Sequence, residues 1–295
     1  MPLLPARPEN WTVRPERVDA GRIAWVEASA SHFALLADLH LSADASVEYD
    51  GFRPLDNCAR VVEQAFAEGV EGVLVAGDLA WANGEAGDYD RIAAMLTPLS
   101  ERAPVVLAPG NHDRRDRLLR RFHPEAYSLN EPAKLITVID TLQARLIMLD
   151  SLYRTDVVPG LLGQAQRHWL ANTLDAEPDR PTLLFVHHPL GEDDGALLDA
   201  PRLLSIVEPR RQVKAIFTAH DHVWRLGREG ACTWSRCPPS GFLSCRPSRS
   251  AGWRSSSGTV PSNCASALPW ESRIIPSDGA PERISGSFGR CAPLK

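Results

Sequence analysis

Long apolar runs are missing from this 295-residue chain. No run approaches the roughly 18 apolar residues that a membrane-spanning helix needs, so no membrane span and no membrane partner are predicted. The first residues are rich in proline and charge and lack the apolar core of a secretory signal peptide. We therefore expect a cytoplasmic protein.

Positive charge and cysteine are also scarce, but only in the first 230 residues. That part holds 24 Lys and Arg against 34 Asp and Glu, a net charge of −10, and its only cysteine is Cys58. A nuclease usually presents a basic groove, so nucleic acid is not an expected partner. Residues 231–295 carry 8 basic and 3 acidic side chains, a net charge of +5, and five cysteines. The composition therefore changes near Gly230.

Short, β-branched apolar runs predict buried strands. They lie at 23–26, 32–37, 73–76, 104–107, 145–149, 182–186 and 213–218. Helical spacing of apolar residues predicts helices at 56–69, 90–99 and 163–174. A strand, a helix and a second strand form a parallel crossover unit, which brings the ends of both strands to one edge of a sheet. The sequence therefore predicts an α/β protein.

Polar residues follow five of these strands directly. They occur as Asp38-Leu39-His40, Gly77-Asp78, Gly110-Asn111-His112-Asp113, His187-His188-Pro189 and His220-Asp221-His222. Alternation along an extended chain predicts that Asp38 and His40 share one face, and the same holds for His220 and His222. Each motif alone also fits a structural role, such as a polar turn, a helix cap or a buried histidine. Five strands that all end in potential ligands are harder to explain in that way.

The combined donor set favours a metal site at the carboxyl ends of the strands. Its members are Asp38, His40, Asp78, Asn111, His112, His187, His220 and His222. Carboxylate, imidazole and amide donors without thiolate suit Mn, Fe or Zn, and the set is large enough for two divalent or trivalent ions with Asp78 as the bridge. A water held between the ions would lose a proton and attack a phosphoester. His112 is the candidate for the histidine that protonates the leaving group.

The ordered motifs resemble the calcineurin-like metallophosphoesterase superfamily over residues 31–228. The resemblance implies that Asp38, His40 and His222 hold the first metal. It also implies that Asn111, His187 and His220 hold the second, that Asp78 bridges them, and that His112 is catalytic. In His-His-Pro the family uses the first histidine, so His188 is left out.

A closer resemblance is to the bacterial class III cyclic-nucleotide phosphodiesterases, which act on 3′,5′-cyclic AMP among other diesters. It rests on Leu149-Asp150-Ser151, Gly160-Leu161-Leu162, Gln166 with Trp169-Leu170, and His187-His188-Pro189. This resemblance implies a four-layer α/β/β/α sandwich with two mixed β-sheets. One departure is Ala219 where the family has glycine, which is tolerable unless that residue needs a positive φ.

The C-terminal segment departs further from the family. Residues 231–295 contain 14 serines and little apolar periodicity, although the family places strands there. The alternatives are a disordered tail, a zinc site at Cys232, Cys237 and Cys245, and a shift of reading frame near Gly230. We favour the frame shift, because a reading two nucleotides later permits an alternating strand. The predicted divisions are a lead-in over 1–30, the phosphoesterase domain over 31–230, and an aberrant, low-order tail over 231–295.

These observations predict an enzyme, a dinuclear metal-dependent phosphoesterase that hydrolyses a small phosphodiester such as a cyclic nucleotide. A phosphomonoesterase and a non-catalytic scaffold of the same fold are the alternatives. The arginine run over 114–121 is interpreted either as a solvated helix face or as a surface that attracts an anionic substrate. The sequence does not indicate the oligomeric state.

Overall fold

Two β-sheets form the centre of the computed structural model. It describes residues 3–4, 11–49, 51, 53–124, 133–222, 225–229, 232–236, 242–247, 270–275 and 282–284. The strands are β1 (Leu3–Leu4), β2 (Trp11–Val18), β3 (Gly21–Ala28), β4 (Phe33–Leu36), β5 (Gly72–Ala76), β6 (Val105–Ala108), β7 (Leu135–Asp140), β8 (Arg145–Leu149), β9 (Thr182–Val186), β10 (Val213–Thr218), β11 (Arg225–Glu229), β12 (Cys232–Arg236), β13 (Phe242–Pro247), β14 (Trp270–Ile275) and β15 (Glu282–Ile284). The helices are α1 (Pro54–Ala67), α2 (Ala86–Ser100), α3 (Arg115–Phe122), α4 (Gln164–Ala176) and α5 (Ala200–Val207).

Both sheets mix parallel and antiparallel pairs. The first has the order β1-β6-β5-β4-β13-β14-β15, and the second has the order β11-β12-β10-β9-β8-β7-β3-β2. Strands β4, β5 and β6 are mutually parallel, as are β8, β9 and β10. Each of these triplets therefore presents its carboxyl ends at one edge of its sheet, where the polar motifs of the sequence begin.

Alternating side chains of the strands divide the core into three layers. Leu36, Val75 and Leu107 face helices α1, α2 and α3 in one cluster. Their neighbours Leu35, Leu74 and Val106 pack between the sheets against Leu146, Met148 and Phe185. The other faces of β7 to β10 pack on α4 and α5. Successive side chains of a strand point to opposite faces of its sheet. Because both faces of each sheet are buried, the two sheets pack on each other and each packs on helices outside, which gives four layers of secondary structure around three core clusters. The predicted α/β/β/α sandwich with two mixed sheets is confirmed.

The lead-in predicted over residues 1–30 contains more regular structure than expected: the strand predicted at 23–26 lies within β3, and β2 over 11–18 is an additional strand. The two strands form an antiparallel hairpin, and β3 pairs in parallel with β7. Ile23, Val26 and Ala28 are buried, whereas the charged Arg22 and Glu27 that flank the apolar run are not, so the apolar pattern predicts only the centre of the strand. The hairpin forms one edge of the second sheet.

Four strands lie within the predicted tail over 231–295. Strand β12 pairs in parallel with β10, and β13 pairs antiparallel with β4. Residues 237–241, 248–269, 276–281 and 285–295 lie outside the described part of the chain, and so do the side chains of the candidate zinc ligands Cys232, Cys237 and Cys245. The boundary near Gly230 and the frame shift stay predictions. Among the described helices, none has the length and apolar character needed to cross a bilayer.

Candidate metal centre

Residues with left-handed backbone conformation cluster at the strand ends. Six described non-glycine residues have positive φ, and five of them are candidate ligands: Asp38 (54°), His40 (45°), Asp78 (49°), His220 (76°) and His222 (54°). Such angles are uncommon outside glycine, and a cluster of them marks a site whose geometry is imposed by its surroundings. Strands β4 and β10 end at Leu36 and Thr218. The prediction that alternation along an extended strand aligns Asp38 with His40 is therefore wrong, because left-handed turns direct these side chains inward.

The Asp78 carboxylate lies between the two halves of the site. Its Oδ1 accepts the backbone N–H of His112 at 2.9 Å. Its Oδ2 lies 3.2 Å from Nε2 of His187 and 3.7 Å from Nε2 of His40. One buried oxygen is thus shared by histidines from opposite sheets, as a bridging ligand requires.

Backbone carbonyls fix the ring orientation of three histidines. Nδ1 of His187 lies 2.9 Å from the Ala76 carbonyl oxygen, Nδ1 of His112 lies 2.8 Å from that of Ala82, and Nδ1 of His40 lies 3.3 Å from that of Trp81. A carbonyl only accepts hydrogen bonds, so Nδ1 must carry the hydrogen in each ring. Nε2 is then the atom that each ring offers to the centre, the usual arrangement of histidine ligands.

Several acceptor atoms face each other in the centre. Nε2 of His40 lies 3.0 Å from Nε2 of His222, and Oδ1 of Asn111 lies 3.3 Å from Nε2 of His187. Nδ1 of His220 is buried and has no hydrogen-bond partner among the described residues. Lone pairs in this arrangement repel unless a proton or a cation lies between them. The donor set therefore fits metal ions, which accept many lone pairs at one point.

Burial and charge shift the pKa values of these groups strongly. Burial alone would lower the pKa of His187, but the carboxylates of Asp78 and Asp38 raise it to about 9. Burial raises the pKa of Asp38 to about 7, and it lowers that of His40 to about 4 and that of His220 to about 3. His187 consequently holds a proton at neutral pH, which satisfies the acceptors around it and which a cation would have to displace.

All eight predicted site residues are brought together. In the described part of the chain, four groups of side chains bring their potential ligand atoms within 4.8 Å of one another: Asp38, His40 and His222; His40, Asp78 and His112; Asp38, Asp78 and His187; and His187, His188 and His220. Asn111 joins through His187, and the backbone N–H of His220 donates to the Asp38 carboxylate at 3.2 Å. Asp38 and Asp78 are each shared between groups, so the cluster extends over more than one potential ion position.

Asp113 holds two of the ligand loops together, a role that sequence reasoning missed. Its carboxylate accepts the backbone N–H groups of Gly110, Leu79 and Ala80 at 2.9, 3.1 and 3.1 Å. It also accepts the hydroxyl hydrogen of Tyr89 at 3.2 Å. The loop after β5 is thereby tied to the loop after β6, which sets Asp78 against Asn111. In the sequence, the signal for this role is that the carboxylate of Asp113 directly follows a ligand motif.

A second buried polar cluster, which we call the inter-sheet lock, lies beside the centre. It consists of Arg115, Lys134, Asp150 and Gln166. Two guanidinium nitrogens of Arg115 donate to Asp150 at 2.6 and 2.7 Å, and the third contact of Arg115 is to the Leu152 carbonyl. Arg115 begins α3 on the first sheet and Asp150 follows β8 in the second, so this pair links the two halves of the molecule.

The other arginines of the run over 114–121 fit the solvated helix face better than a substrate-attracting surface. Arg114 contacts Asp116 at 3.2 Å, Arg117 contacts Glu85 at 2.5 Å and Arg121 contacts Asp90 at 2.6 Å. These are exposed or partly exposed pairs with their charge neutralised locally. The buried Arg115 is the exception.

His188, left out of the predicted ligand set, is fully buried. Its Nδ1 lies 2.7 Å from the Ser151 hydroxyl, and its backbone N–H donates to the same oxygen at 3.4 Å. Burial lowers the pKa of His188 well below its usual range, so the ring is neutral.

Ala219, the departure from the glycine of the family, is buried and is not among the residues with positive φ. Its methyl group therefore causes no backbone strain.

Comparison with known proteins agrees with the geometry. Residues 31–224 match the family described as calcineurin-like phosphoesterase. The chain is 31% identical over 211 residues to a "probable cyclic nucleotide phosphodiesterase" of Rhodopseudomonas palustris, covering 65% of this chain and 74% of that one. It is 33% identical over 200 residues to a 3′,5′-cyclic adenosine monophosphate phosphodiesterase of Haemophilus influenzae (63% and 68%). A glycerophosphodiester phosphodiesterase of Enterobacter lignolyticus is 32% identical over 173 residues (56% and 61%).

Solved structures share the fold at low identity. A dimetal phosphatase from Danio rerio superposes with a TM-score of 0.57 at 16% identity, covering 74% of this chain and 93% of that one. A purple acid phosphatase from yellow lupin gives the same TM-score and identity over 91% of this chain and 57% of that one. With the family match over most of the chain, the resemblance seen in the sequence is confirmed. The protein belongs to the calcineurin-like phosphoesterases, a family of metal-dependent phosphoester hydrolases.

Proposed function

We propose that this protein hydrolyses small phosphodiesters with two bound metal ions. Asp38, His40 and His222 would hold the first ion, and Asn111, His187 and His220 the second, with Asp78 shared between them. The observation that carries the proposal is the 3.0 Å approach of Nε2 of His40 to Nε2 of His222, together with the Asp78 oxygen between His40 and His187. At both contacts the lone pairs need a proton or a cation between them, and two metal ions would supply the cations.

Bound Mn, Fe or Zn ions would lower the pKa of a water to provide the nucleophile near neutral pH and would neutralise the phosphate oxygens. The chain's own residues supply the remaining functions. Asp113 and the left-handed turns hold the ligands in place before a substrate arrives, which lowers the cost of reorganisation during reaction. His112 is anchored through Nδ1 on the Ala82 carbonyl, so its Nε2 is the atom that delivers a proton to the leaving oxygen.

Two observations favour a diester over the alternative of a monoester. The relatives named above are described as phosphodiesterases of cyclic nucleotides or of glycerophosphodiesters. The segment Glu192-Asp193-Asp194 is exposed and adjoins Gly195, whose backbone packs so closely on His220 that an added Cβ would lie 2.8 Å from Nε2. These acidic residues repel the dianion of a monoester more strongly than the monoanion of a diester.

The test is hydrolysis of bis(4-nitrophenyl) phosphate and of 4-nitrophenyl phosphate, each with Mn²⁺ and with EDTA. We expect cleavage of the diester that requires Mn²⁺ and that falls about 10²- to 10⁴-fold in His112→Ala, since that is the usual contribution of a general acid. Preferred cleavage of the monoester would support the phosphomonoesterase instead. No turnover by metal-loaded protein would support the non-catalytic scaffold.

A further inference from the structure

Two aromatic side chains extend from the metal centre towards solvent. The ring of Trp81 lies 6.2 Å from that of His40, centroid to centroid, at an interplanar angle of 82°. The ring of Tyr49 lies 6.1 Å from that of Trp81 at 69°. We call this pair, Tyr49 and Trp81, the aromatic corner. It forms a continuous series of rings with His40 and with His112, whose ring lies 5.1 Å from that of His40.

The backbone fixes the aromatic corner relative to the centre. The carbonyl of Trp81 accepts Nδ1–H of His40, and the next carbonyl, that of Ala82, accepts Nδ1–H of His112. Leu41 and Ala80 form a parallel β-bridge, which joins the segment after β4 to the segment after β5. Any displacement of Trp81 would therefore move the histidines of the centre. Trp81 is therefore part of the wall of the site, and the ring of Tyr49 lies against it on the solvent side.

Tyr49 is too exposed for a role in the core. About half of its surface is accessible (51%), and it belongs to none of the three core clusters. The segment that leads to it is nevertheless held in place. The backbone N–H of Ala43 donates to Asp88 at 2.9 Å, and a guanidinium nitrogen of Arg53 donates to the Ala45 carbonyl at 2.7 Å. A large ring presented to solvent beside a reaction centre is typical of a ligand contact.

We propose that the aromatic corner binds the planar heterocycle of a nucleotide substrate while its phosphodiester occupies the metal centre. Two rings at 69° provide one face for stacking and one edge for a T-shaped contact, the two arrangements that aromatic systems prefer. The ester substituent of a glycerophosphodiester has no π-face and gains nothing from this corner. The inference rests on the proposed function and deepens it by assigning Tyr49 and Trp81 to recognition of the base.

The experiment compares two anions that differ only in the group attached to phosphate. Binding of adenosine 5′-monophosphate and of glycerol 3-phosphate is measured by equilibrium dialysis with Mn²⁺-loaded, full-length protein. All variants carry His112→Ala, so that turnover is slow. Tyr49→Ala removes the ring, Tyr49→Phe keeps it, and Leu142→Ala is the control. Leu142 is 84% exposed and lies before β8, at the end of that strand opposite the site.

We expect Tyr49→Ala to weaken binding of the adenosine nucleotide about tenfold, because the base loses its stacking on one aromatic ring. Binding of glycerol 3-phosphate should change less than about twofold by the same reasoning, and Tyr49→Phe and Leu142→Ala should resemble the parent. Equal losses for both anions, or none for the nucleotide, would overturn the proposal.

The two proposals fail in different ways. If the aromatic corner has no role but the proposed function is right, the wild-type protein still cleaves bis(4-nitrophenyl) phosphate with Mn²⁺ and Tyr49→Ala binds both anions like the parent. If the proposed function is wrong, diester cleavage is missing or insensitive to EDTA, while the dialysis still measures the preference for the nucleotide. Each measurement therefore bears on its own proposal.

Discussion

Two buried polar clusters lie side by side in this protein, and they differ in how completely their groups are paired. In the inter-sheet lock, Asp150 accepts the Arg115 guanidinium and the backbone N–H groups of Leu135 and Leu152. The Gln166 amide bonds both to the backbone N–H and to the carbonyl of Asp150, at 3.0 and 2.9 Å. Each N–H group in these contacts donates a hydrogen bond to an oxygen atom, so donors and acceptors are balanced. Such closure is what burial of a polar network requires.

The metal centre has the opposite balance. Nε2 of His40 faces Nε2 of His222, and the Asn111 oxygen and an Asp78 carboxylate oxygen both face the single Nε2 of His187. Asp38 and Asp78 add two carboxylates to the same volume, within 4.0 Å of the nitrogens of His40, His187 and His222. A surplus of hydrogen-bond acceptors, on residues with positive φ, distinguishes a cation site from a structural polar network. The predictions below separate the two clusters by that criterion.

The largest effect is expected at the lock. Arg115→Ala should lower the free energy of unfolding by about 3–5 kcal/mol, because it leaves the Asp150 carboxylate buried without its partner. Urea unfolding of the metal-free protein measures this change. Arg117→Ala is the matched control: it removes an arginine of the same helix whose partner Glu85 is exposed, and about 0–1 kcal/mol is expected. Equal losses in both variants would mean that the lock is not a structural element.

Metal ions should stabilise the fold through the centre alone. At a Mn²⁺ concentration of one hundred times Kd, the free energy of unfolding should rise by about 2.7 kcal/mol for one site. Asp38→Asn should lose much of this increment, whereas Arg117→Ala should keep all of it. Urea unfolding with Mn²⁺ or with EDTA provides the values. Undiminished stabilisation of Asp38→Asn would place the bound ions elsewhere.

Mn²⁺ affinity should increase as pH rises from 6 to 9. The pKa of His187 lies near 9, because Asp78 and Asp38 outweigh the lowering effect of burial, and burial raises that of Asp38 to about 7. Both groups hold protons at pH 6, and a cation must displace them. Each displaced proton contributes up to about tenfold in affinity per pH unit. Calorimetry in buffers of different ionisation enthalpy counts these protons.

Stability of the metal-free protein should change in the other direction. The folded pKa of His187 lies above its ordinary value of 6.5, so its contribution is complete below pH 6.5 and is lost as pH rises through about 9. The raised pKa of Asp38 acts in the same sense. An affinity for Mn²⁺ that is independent of pH, or a metal-free protein that gains stability over this range, would contradict the protonation pattern.

The smallest effect is expected at the pair of His188 and Ser151. Ser151→Ala removes the hydroxyl that lies 2.7 Å from Nδ1 of His188 and should destabilise the protein by about 1 kcal/mol, the usual net value of a hydrogen bond. Because His188 is not proposed as a ligand, Mn²⁺ affinity should stay within about twofold, well inside the range over which a lost ligand would act. A large loss of affinity would assign His188 to the centre.

The sequence predicts that these polar side chains lie together because they follow strands. Apolar runs locate the strand ends, and parallel crossovers bring Asp78, Asn111 and His187 to one edge whatever the details of the loops. The resemblance to a known family then supplies the sandwich and the assignment of ligands. What the pattern could not supply is local backbone geometry. The alternation argument placed Asp38 and His40 in an extended strand, whereas left-handed residues turn both side chains inward.

Long-range partners could not be predicted either. Arg115 and Asp150 are 35 residues apart, and Asp113 meets Leu79 across 34 residues. Nothing in their local sequence distinguishes Arg115 from the arginines that form exposed pairs on the same helix. Likewise, β2 over 11–18 contains Pro15 between the charged residues Arg14 and Glu16, so its sequence does not predict a strand. These features depend on how the two sheets face each other, which is a property of the folded chain.

The most direct test of the central claim is the metal stoichiometry of the purified protein. Full-length chain is stripped with EDTA, dialysed against Mn²⁺ and analysed for metal by mass spectrometry, beside Asp78→Ala and the control Arg117→Ala. Two ions per chain in the wild type and in the control, with loss of binding in Asp78→Ala, is the predicted result. A wild-type chain that binds no Mn²⁺, or an Asp78→Ala chain that still binds two ions, would contradict the dinuclear centre.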